Sequence, residues 1–275
     1  MVDKSTKSAM TILGMLIAAG VVLLALVLSA DAQDFDPERR PEEGLYFSLP
    51  FNNGSTTPVA QLSTAPTAVG TMLITGNGTL LFPDYLVNGG HCLWWADRPE
   101  WRTRPLTATC WYKNNWRAYM NNTRFFGTVY YSSNTGGYWG FIDDAYNSTT
   151  EDYPTFVVGS GSPLGNVQTV MPYNGLVVGQ WGFFALAVDA SGTARAYRNG
   201  VLLGIMTVNS FGSPNSTDGA RLLIGQGATG PNSIGLNSGG CEIDDPRVYA
   251  GKALSADEIY AIYASGRTGQ GDNQP

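Results

Sequence analysis

The chain has 275 residues, of which 43% are hydrophobic and only 14% are charged, so it can bury a sizeable core while Asn, Ser, Thr and Gly supply most of its polar groups. Its formal net charge is −6 and its isoelectric point is about 4.7. This balance argues against nucleic acid as a partner, because a phosphate backbone is bound by clustered Lys and Arg.

The N-terminal region contains an uncharged stretch of 23 residues from Ser8 to Ala30. A helix rising about 1.5 Å per residue would span ~34 Å over this length, enough to cross a hydrocarbon core of ~30 Å. We therefore predict a transmembrane helix over residues 9–30, preceded by a short cytoplasmic end over 1–8. A cleaved signal peptide is the alternative, since Ala30-Asp31-Ala32 resembles a cleavage site, but the apolar run is longer than a usual signal core.

The charges on either side of this stretch predict its orientation. Lys4 and Lys7 precede it, whereas the residues that follow are mostly acidic, which favours a cytoplasmic N-terminus and a main domain that is periplasmic or extracellular. Residues 31–43 combine two prolines with mixed charges and few apolar residues. They predict an extended linker, which at ~3.3 Å per residue reaches at most about 40 Å.

The next region contains an unusual aromatic segment. The segment from His91 to Arg104 places tryptophans among arginines, a combination that can stack on sugar rings or anchor a protein interface. The residues that we predict to contact a partner or a glycan are Trp94, Trp95, Arg98, Trp101 and Arg102.

Three cysteines, Cys92, Cys110 and Cys241, allow at most one disulfide. Outside the cytoplasm a Cys92–Cys110 bridge would close the loop between them and is our predicted pairing. The other pairings, and three buried thiols, remain as alternatives. Because the sequence has no Cys-x-x-Cys pair and no Cys/His cluster, a structural zinc site is not expected.

The last third of the chain predicts a strand meander followed by one helix. The strands are expected over 182–189, 193–198, 201–208, 221–225 and 241–249, and Asn199-Gly200 has the preference for positive φ that a type I′ hairpin requires. Ser255 and Glu258 have the spacing of a capping box, Leu254 and Ile259 that of a hydrophobic staple. Gly266 is expected to end the helix.

The ordered set of motifs in this last third resembles the laminin-G-like, concanavalin A-like jelly rolls. The matching residues are Gln180-Trp181, Tyr197-Arg-Asn-Gly200, Ile243-Asp-Asp-Pro-Arg-Val-Tyr249 and Leu254-Ser-Ala-Asp-Glu-Ile259. The resemblance implies an all-β fold, a two-sheet jelly-roll sandwich with one short C-terminal helix. It covers residues 44–266 and is closest after residue 175, which leaves 267–275 as a flexible tail.

This resemblance also raises glycoside hydrolysis, because retaining β-glucanases of the fold carry a Glu-x-Asp-x-Glu strand. Two carboxyl groups must then lie about 5 to 5.5 Å apart on one face. Here Glu242 and Asp244 alternate correctly, but the third position is Pro246, or Arg247 in the longer version of the motif. We therefore predict that the chain is not an enzyme.

Calcium is the one ion that the resemblance suggests, since related domains hold it with Asp and Asn side chains and backbone oxygens. The matching positions are Asp244 and Asp245. The family often has an Asp-rich turn after its first strand, whereas residues 52–57 here carry no carboxylate. A single structural calcium ion is the only cofactor that we consider.

The function that these features favour is a non-catalytic interaction domain on a single-pass membrane anchor. Such a chain would dock with or stabilise other subunits of a larger membrane protein assembly. The alternative is a surface lectin-like module that binds carbohydrate through Trp94, Trp95 or Trp101. A divergent polysaccharide hydrolase is less favoured, because it would need another carboxylate facing Glu242.

Overall fold

The computed structural model describes residues 44–49, 65–69, 73–74, 80–82, 92–115, 123–130, 139–143, 151–152, 154–158, 168–170, 176–177, 179–207, 220–225 and 241–269. All of these lie within one compact unit, Pro41–Pro275. The predicted cytoplasmic end over 1–8, the transmembrane segment over 9–30 and the linker over 31–43 lie outside the described residues. Among the helices that are described, none is long and apolar enough to cross a membrane.

The described part of the chain is built mostly of strands. In chain order they are β1 (Leu45–Ser48), β2 (Thr67–Val69), β3 (Leu73–Ile74), β4 (Leu80–Phe82), β5 (Cys92–Trp95), β6 (Leu106–Asn114), β7 (Thr123–Tyr130), β8 (Trp139–Asp143), β9 (Glu151–Asp152), β10 (Pro154–Val158), β11 (Gln168–Val170), β12 (Leu176–Val177), β13 (Trp181–Val188), β14 (Thr193–Arg198), β15 (Val201–Thr207), β16 (Ala220–Gly225) and β17 (Cys241–Ala250). A 3₁₀ turn spans Pro99–Trp101, and the helix α1 spans Ala256–Gly269.

The strands form two large antiparallel sheets. Sheet A has the order β15-β14-β13-β6-β17-β4-β3, and β1 pairs with β17 beside β4. Sheet B has the order β11-β10-β8-β7-β16-β5-β2, and β9 and β12 form a separate pair. The sheets face each other, since side chains from both meet in one buried cluster that includes Phe47, Tyr112 and Phe184 of sheet A and Phe125, Phe141 and Leu222 of sheet B. This is the two-sheet sandwich that the sequence predicts.

Aromatic rings hold the two inner faces together. Tyr112 of β6 stacks on Phe125 of β7 with ring centroids 3.9 Å apart, and Phe184 of β13 meets the edge of Phe125 at 5.8 Å. Phe125 and Phe126 are consecutive and yet both are buried, because an irregularity in the pairing of β7 with β8 interrupts the usual alternation. Burying rings of this size supplies much of the apolar area on which a sandwich of this size depends.

The meander in the last third has the strands that the sequence predicts. Asn199 and Gly200 have φ of 51° and 77°, as a type I′ turn requires. Asn199 also joins the turn to β13, because its backbone N–H donates to the Phe183 carbonyl and its side-chain oxygen accepts from the Phe183 N–H. The turn residue therefore aligns β14 and β15 against their neighbour.

The helix α1 packs on the outer face of sheet A. Its start is the predicted capping box, in which the Glu258 N–H donates to the Ser255 hydroxyl at 3.2 Å and the Ser255 N–H donates to the Glu258 carboxylate at 2.8 Å. Leu254 and Ile259 are both buried, as expected for a hydrophobic staple. The predicted end at Gly266 is wrong, because the helix continues to Gly269 and takes in the first residues of the predicted tail.

The predicted Cys92–Cys110 bridge is not formed in this structure. All three cysteines are reduced and buried. Cys92 lies on the outer side of sheet B with Leu223, whereas Cys110 lies in the inner cluster on sheet A. The two thiols are therefore on different sheets, and the thickness of sheet B separates their side chains.

Candidate functional site

The acidic residues of β17 lie on the outer face of sheet A, the face that α1 covers. Glu242 pairs with Lys113 and Asp244 with Trp111 on the neighbouring strand β6. The Glu242 carboxylate is 2.5 Å from the Lys113 ammonium and accepts a 2.8 Å hydrogen bond from the Asn115 amide. Lys113 in turn lies 5.1 Å from the centre of the Trp181 ring. Glu242 thus joins β17 to the end of β6, and Lys113 extends this group to Trp181 on β13.

The next two acids lie at a bulge in β17. The pairing with β6 shifts between Asp244 and Arg247, and Asp245 adopts a φ of 45° there. The Arg247 guanidinium donates to both carboxylate oxygens of Asp245, one of them at 2.8 Å. The Asp244 carboxylate accepts a hydrogen bond from the Asp245 N–H at 2.8 Å. At the bulge, Asp245 therefore forms a bidentate ion pair with Arg247 of its own strand.

Asp244 is buried to 9% exposure, and this burial dominates its electrostatics. Removal from water raises the pKa of Asp244 from 3.8 to about 7, and the neighbouring Asp245 adds to this effect. Hydrogen bonding from the Asp245 N–H and the charge of Arg247 act in the opposite direction. Asp244 is therefore close to half protonated at neutral pH.

The predicted calcium ligands Asp244 and Asp245 have the carboxylate oxygens that calcium prefers, but neither carboxylate has a negative charge that is free to bind the ion. The Asp245 carboxylate faces a guanidinium, and Asp244 is partly protonated near pH 7. Within the described ranges, no three His, Cys, Asp or Glu side chains group as metal ligands. A calcium ion here would have to displace Arg247 from Asp245.

The same face is closed by α1 over its central part. Trp111 stacks on Tyr263 of the helix with ring centroids 5.7 Å apart and packs against Phe183 at 5.3 Å. At Gly266 the helix is so close that a Cβ atom would lie 2.5 Å from the Trp111 indole nitrogen. Asp244, which pairs with Trp111, is thus next to a packed helix rather than an open cleft.

These contacts limit what the acids of β17 can do chemically. A retaining glycosidase needs two carboxyl groups facing an open cleft with room for a sugar ring. Here Glu242 is paired with a lysine, Asp245 with an arginine, and the third motif position is the buried Pro246. Asp244, the remaining acid of this strand, is buried where it pairs with Trp111, under the face that α1 covers.

The predicted contact segment is mostly part of the core. Trp95 is 3% exposed and meets the Phe47 ring edge-on at 4.9 Å. Trp101 is fully buried in the 3₁₀ turn, where its carbonyl accepts a 2.7 Å hydrogen bond from the Trp139 indole N–H. Inward alternation of β5 and docking of the turn bury both rings, so neither presents a surface to a partner or a glycan in this structure.

The two predicted arginines are held within the domain. Arg102 lies 3.0 Å from Asp97 in an ion pair, and Arg98 points at the Tyr46 hydroxyl at 3.5 Å. Both side chains are half-buried. They fix the loop between β5 and the 3₁₀ turn, and a partner would reach only their outer edges.

Trp94 is the one predicted tryptophan that keeps an accessible surface. It is half-buried on the outer side of sheet B, and the Arg221 guanidinium from β16 lies 3.9 Å from the centre of its ring. This stacked pair results from the register, in which Trp94 pairs with Leu223 and Arg221 is the diagonal neighbour. Sequence reasoning named Trp94 but could not name Arg221, which lies 127 residues further along the chain.

One exposed feature was not predicted as a site. The strand β15 carries apolar side chains that face solvent: Val201 (63% exposed), Leu202 (44%), Leu203 (36%) and Ile205 (58%). Tyr260 of α1 is also exposed, at 56%. A signal was present in the sequence, because the seven residues after Asn199-Gly200 carry no charge. We call these five residues the β15 patch.

Comparison with solved structures finds the fold in several botulinum neurotoxin domains. The serotype D binding domain has a TM-score of 0.58 at 11% identity. The binding domain of the DC toxin in complex with rat synaptotagmin II has a TM-score of 0.60 at 12% identity. A type C toxin structure, described in terms of interaction with two ganglioside molecules, has a TM-score of 0.58 at 12% identity.

In each of these comparisons 82% of this chain aligns with 52% of the toxin domain, so this chain matches about half of each. At such low identity the likeness shows the fold alone. A comparison with curated protein sequences gives no match.

Family membership follows from a match of residues 88–260 to the laminin G model described as the concanavalin A-like lectin/glucanases superfamily. The matched range is more than half of the chain and includes both central strands of sheet A. The jelly-roll architecture and the helix on its outer face agree with it. This chain belongs to the concanavalin A-like lectin/glucanases superfamily, in its laminin G group.

Proposed function

We propose that this chain is a non-catalytic binding domain that docks with or stabilises a larger membrane protein assembly. The N-terminal apolar segment anchors it, residues 31–43 link it to the membrane, and residues 44–266 act on the periplasmic or extracellular side. This proposal extends the family membership, which by itself establishes a fold and not a partner.

The observation that carries the proposal is that two acidic side chains of β17, Glu242 and Asp245, are held in ion pairs. Where glucanases of this fold need carboxyl groups in an open cleft, this chain has Glu242 paired with Lys113 and Asp245 paired with Arg247. The helix α1 packs over the adjoining part of the same face. A domain that keeps the sandwich but closes the position used for catalysis is suited to binding.

Two further features support a docking role on a membrane. The 23 uncharged residues from Ser8 to Ala30 are long enough for a membrane-spanning helix. The β15 patch exposes apolar side chains, of the kind that protein interfaces cover. Lateral confinement by the anchor would raise the effective concentration of any partner in the same membrane.

The experiment that tests the docking role is capture of the full chain from native membranes in mild detergent, followed by mass spectrometry. Stoichiometric recovery of a defined set of membrane proteins is the expected result. Recovery of this chain alone, under detergents that keep other assemblies intact, would contradict the role. A carbonate wash beforehand tests the anchor, because a chain held by a transmembrane helix stays in the pellet.

A second function, carbohydrate binding, is favoured by the Trp94–Arg221 pair. A tryptophan face with a stacked guanidinium can hold a sugar ring and pair with an acidic substituent. Among the structures with a similar fold, one toxin binding domain is described in complex with SialylT. For another, cell entry of the type C toxin is described as dependent on interaction with two ganglioside molecules. For this chain, carbohydrate binding is a proposal that rests on one half-buried tryptophan ring, that of Trp94.

A glycan panel with the full chain tests this alternative, once with calcium and once with a chelator. If the pair binds sugar, Trp94→Ala loses the signal while Tyr260→Ala, an exposed aromatic of α1, keeps it. Glycan binding that depends on calcium would support Asp244 and Asp245 as calcium ligands. A panel without hits in either condition would leave the docking role alone.

A further inference from the structure

The β15 patch lies at an edge of sheet A, where β11 of sheet B comes close to β15. β15 is the last strand in the order of the sheet, and among the described strands only β14 pairs with it. An edge strand presents a row of backbone N–H and C=O groups that another strand can pair with. The edge and the apolar side chains therefore coincide.

Protein sheets usually protect such edges with charges, prolines, bulges or covering segments. In β15, Val201–Thr207, there is no charged residue and no proline. The pairing with β14 does contain one irregularity, between Ala196 and Tyr197, opposite Leu203. Among these protecting features, the described strand itself contains only the bulge. Val201 and Ile205 remain more than half exposed.

The helix side of the patch is held in place. Leu202 pairs with Tyr197 and Ile205 with Arg195, so both side chains share the outer face of sheet A, where α1 lies. A Cβ atom at Gly200 would lie 2.8 Å from the Tyr260 ring, which shows how closely the β14–β15 hairpin approaches the helix. Tyr260 therefore extends the apolar strand onto the neighbouring element.

We propose that this edge pairs with the same edge of a second copy of the chain, antiparallel and about a two-fold axis. An antiparallel strand is complementary to itself, so one surface serves both partners. A two-fold axis would bring like charges together, and β15 has none to repel its copy. With the axis at Leu203, Leu203 of one copy lies opposite Leu203 of the other.

The size of the patch sets the strength of this association. The five side chains expose on the order of 400 Å² of apolar surface, which on a monomer usually marks a functional site. Two copies would bury on the order of 1,000 Å² in total, at the low end of specific interfaces. The pairing is therefore concentration-dependent in detergent and stronger where an anchor confines the copies to one membrane.

Sedimentation of the full chain in detergent, over a range of protein concentrations, tests the pairing. The wild type shows a monomer–dimer equilibrium, and Ile205→Lys weakens dimerisation about tenfold or more, since a lysine at the edge must lose water next to its own copy. The matched control is Val177→Lys, at an apolar position 48% exposed on β12, which leaves the equilibrium unchanged. Wild type that stays monomeric throughout, or equal effects of the two lysines, overturns the proposal.

Cross-linking in native membranes tests the register independently of detergent. Cysteine at the two-fold axis meets its own copy, so Leu203→Cys forms a disulfide-linked dimer under mild oxidation. Thr207→Cys lies four residues from the axis in each copy, about 26 Å from its counterpart, well beyond the ~7 Å limit for a bridge. Equal cross-linking at both positions, or none at Leu203→Cys, contradicts the register and the pairing.

These outcomes separate the inference from the docking role. Self-association goes beyond the accessory role and does not depend on it. If Ile205→Lys removes dimerisation but the captured membrane proteins persist, the chain docks through another surface. If the captured set is lost while wild type never forms a dimer, the β15 patch binds a foreign subunit and the self-pairing is wrong.

Discussion

Asp244 shows how a single side chain can make a binding domain sensitive to pH. Its carboxylate lies beside Trp111, Asp245 and the closing helix, and burial raises its pKa to about 7. Because the unfolded carboxyl group titrates near 3.8, the unfolded chain releases the proton over a range in which the folded chain retains it. The stability contribution of Asp244 is therefore full below pH ~4 and is lost as the pH rises toward 7.

We predict that Asp244→Asn stabilises the protein at pH 7 and flattens the dependence of unfolding free energy on pH between 4 and 7. Asparagine keeps an oxygen for the Asp245 N–H but cannot ionise. The gain is at most about 4 kcal/mol, from the difference between the two pKa values. Urea unfolding followed by tryptophan fluorescence at several pH values measures it.

The matched control is Asp189→Asn, for which the opposite sign is expected. Hydrogen bonds from Ser191, Thr193 and Arg195 lower the pKa of Asp189 to about 2, so its carboxylate stabilises the fold above pH ~4 and loses that effect as the pH falls toward 2. This variant is less stable at neutral pH, with a difference that shrinks below pH 4. Equal pH profiles for both variants would refute the assignment for Asp244.

At the scale of an element, α1 is the part that most constrains function, because it covers the outer face of sheet A. Its position depends on two connections to the sheet. The Thr107 hydroxyl donates to the Lys252 carbonyl at 3.0 Å and accepts from the Leu254 N–H at 2.8 Å, which fixes the start of the helix. Near its end, Gly266 admits the Trp111 ring.

The capping box gives the first prediction for this helix. Ser255→Ala should lower the unfolding free energy by about 1 kcal/mol, because the Glu258 N–H loses its acceptor at the helix start. Ser265→Ala is the control, since that hydroxyl donates to the Ile262 carbonyl inside the helix rather than capping its start, and a smaller loss is expected. Equal losses would mean that the box does not stabilise the helix.

A second prediction concerns Gly266. Glycine to alanine inside a helix normally stabilises by up to about 1 kcal/mol. Here the added Cβ would lie 2.5 Å from the Trp111 indole nitrogen, so Gly266→Ala should instead destabilise by about 1–3 kcal/mol. The smaller ring of Trp111→Phe should relieve the clash, so the double variant loses less than the sum of the two single variants.

At the scale of the whole molecule, the two sheets determine which chemistry is accessible. Cys110 and Cys241 lie between the sheets, Cys92 lies on the outer side of sheet B, and all three are buried. Burial raises the pKa of the Cys92 thiol to about 11, partly opposed by Arg221, and holds that of Cys110 well above its ordinary value. Thiols in this state react slowly, because the thiolate is the reactive form.

We therefore predict that iodoacetamide alkylates the native protein no faster than global unfolding allows. The thermal midpoint should also be the same with and without reductant, because no disulfide joins Cys92 to Cys110 in this fold. Mass spectrometry of the alkylated protein over time, and a thermal melt in both conditions, measure these effects. Rapid labelling of one cysteine, or a lower midpoint in reductant, would show that a thiol is exposed or bridged.

The comparison of sequence and structure separates short-range from long-range information. The hairpin at Asn199-Gly200 and the cap at Ser255 could be predicted because their preferences depend on residues within three positions. The helix end could not, since Gly266 is required by Trp111, a residue 155 positions earlier, rather than by the backbone of the helix. For the same reason the prediction that Gly266 ends the helix is wrong.

The candidate site divides in the same way. Trp95 and Trp101 have the composition of a contact loop, but whether a ring faces solvent depends on which sheet its strand joins. Arg221 reaches Trp94 only through the pairing of β5 with β16, and β15 is exposed only because it ends its sheet. None of these relations is present in local pattern.

The sequence by itself determined the low charge that argues against nucleic acid and the lack of a carboxylate at the third position of the Glu-x-Asp-x-Glu motif on β17, and its motifs carried the resemblance that implied an all-β sandwich with one helix. These depend on composition and on motifs within single segments, all of which are local. The tertiary structure alone decided that Glu242 and Asp245 are ion-paired, that two of three predicted contact tryptophans are buried, and that an uncharged strand lies at the edge of its sheet. The physical reason is that burial and pairing are set by contacts between segments far apart in the chain, which local preference cannot encode.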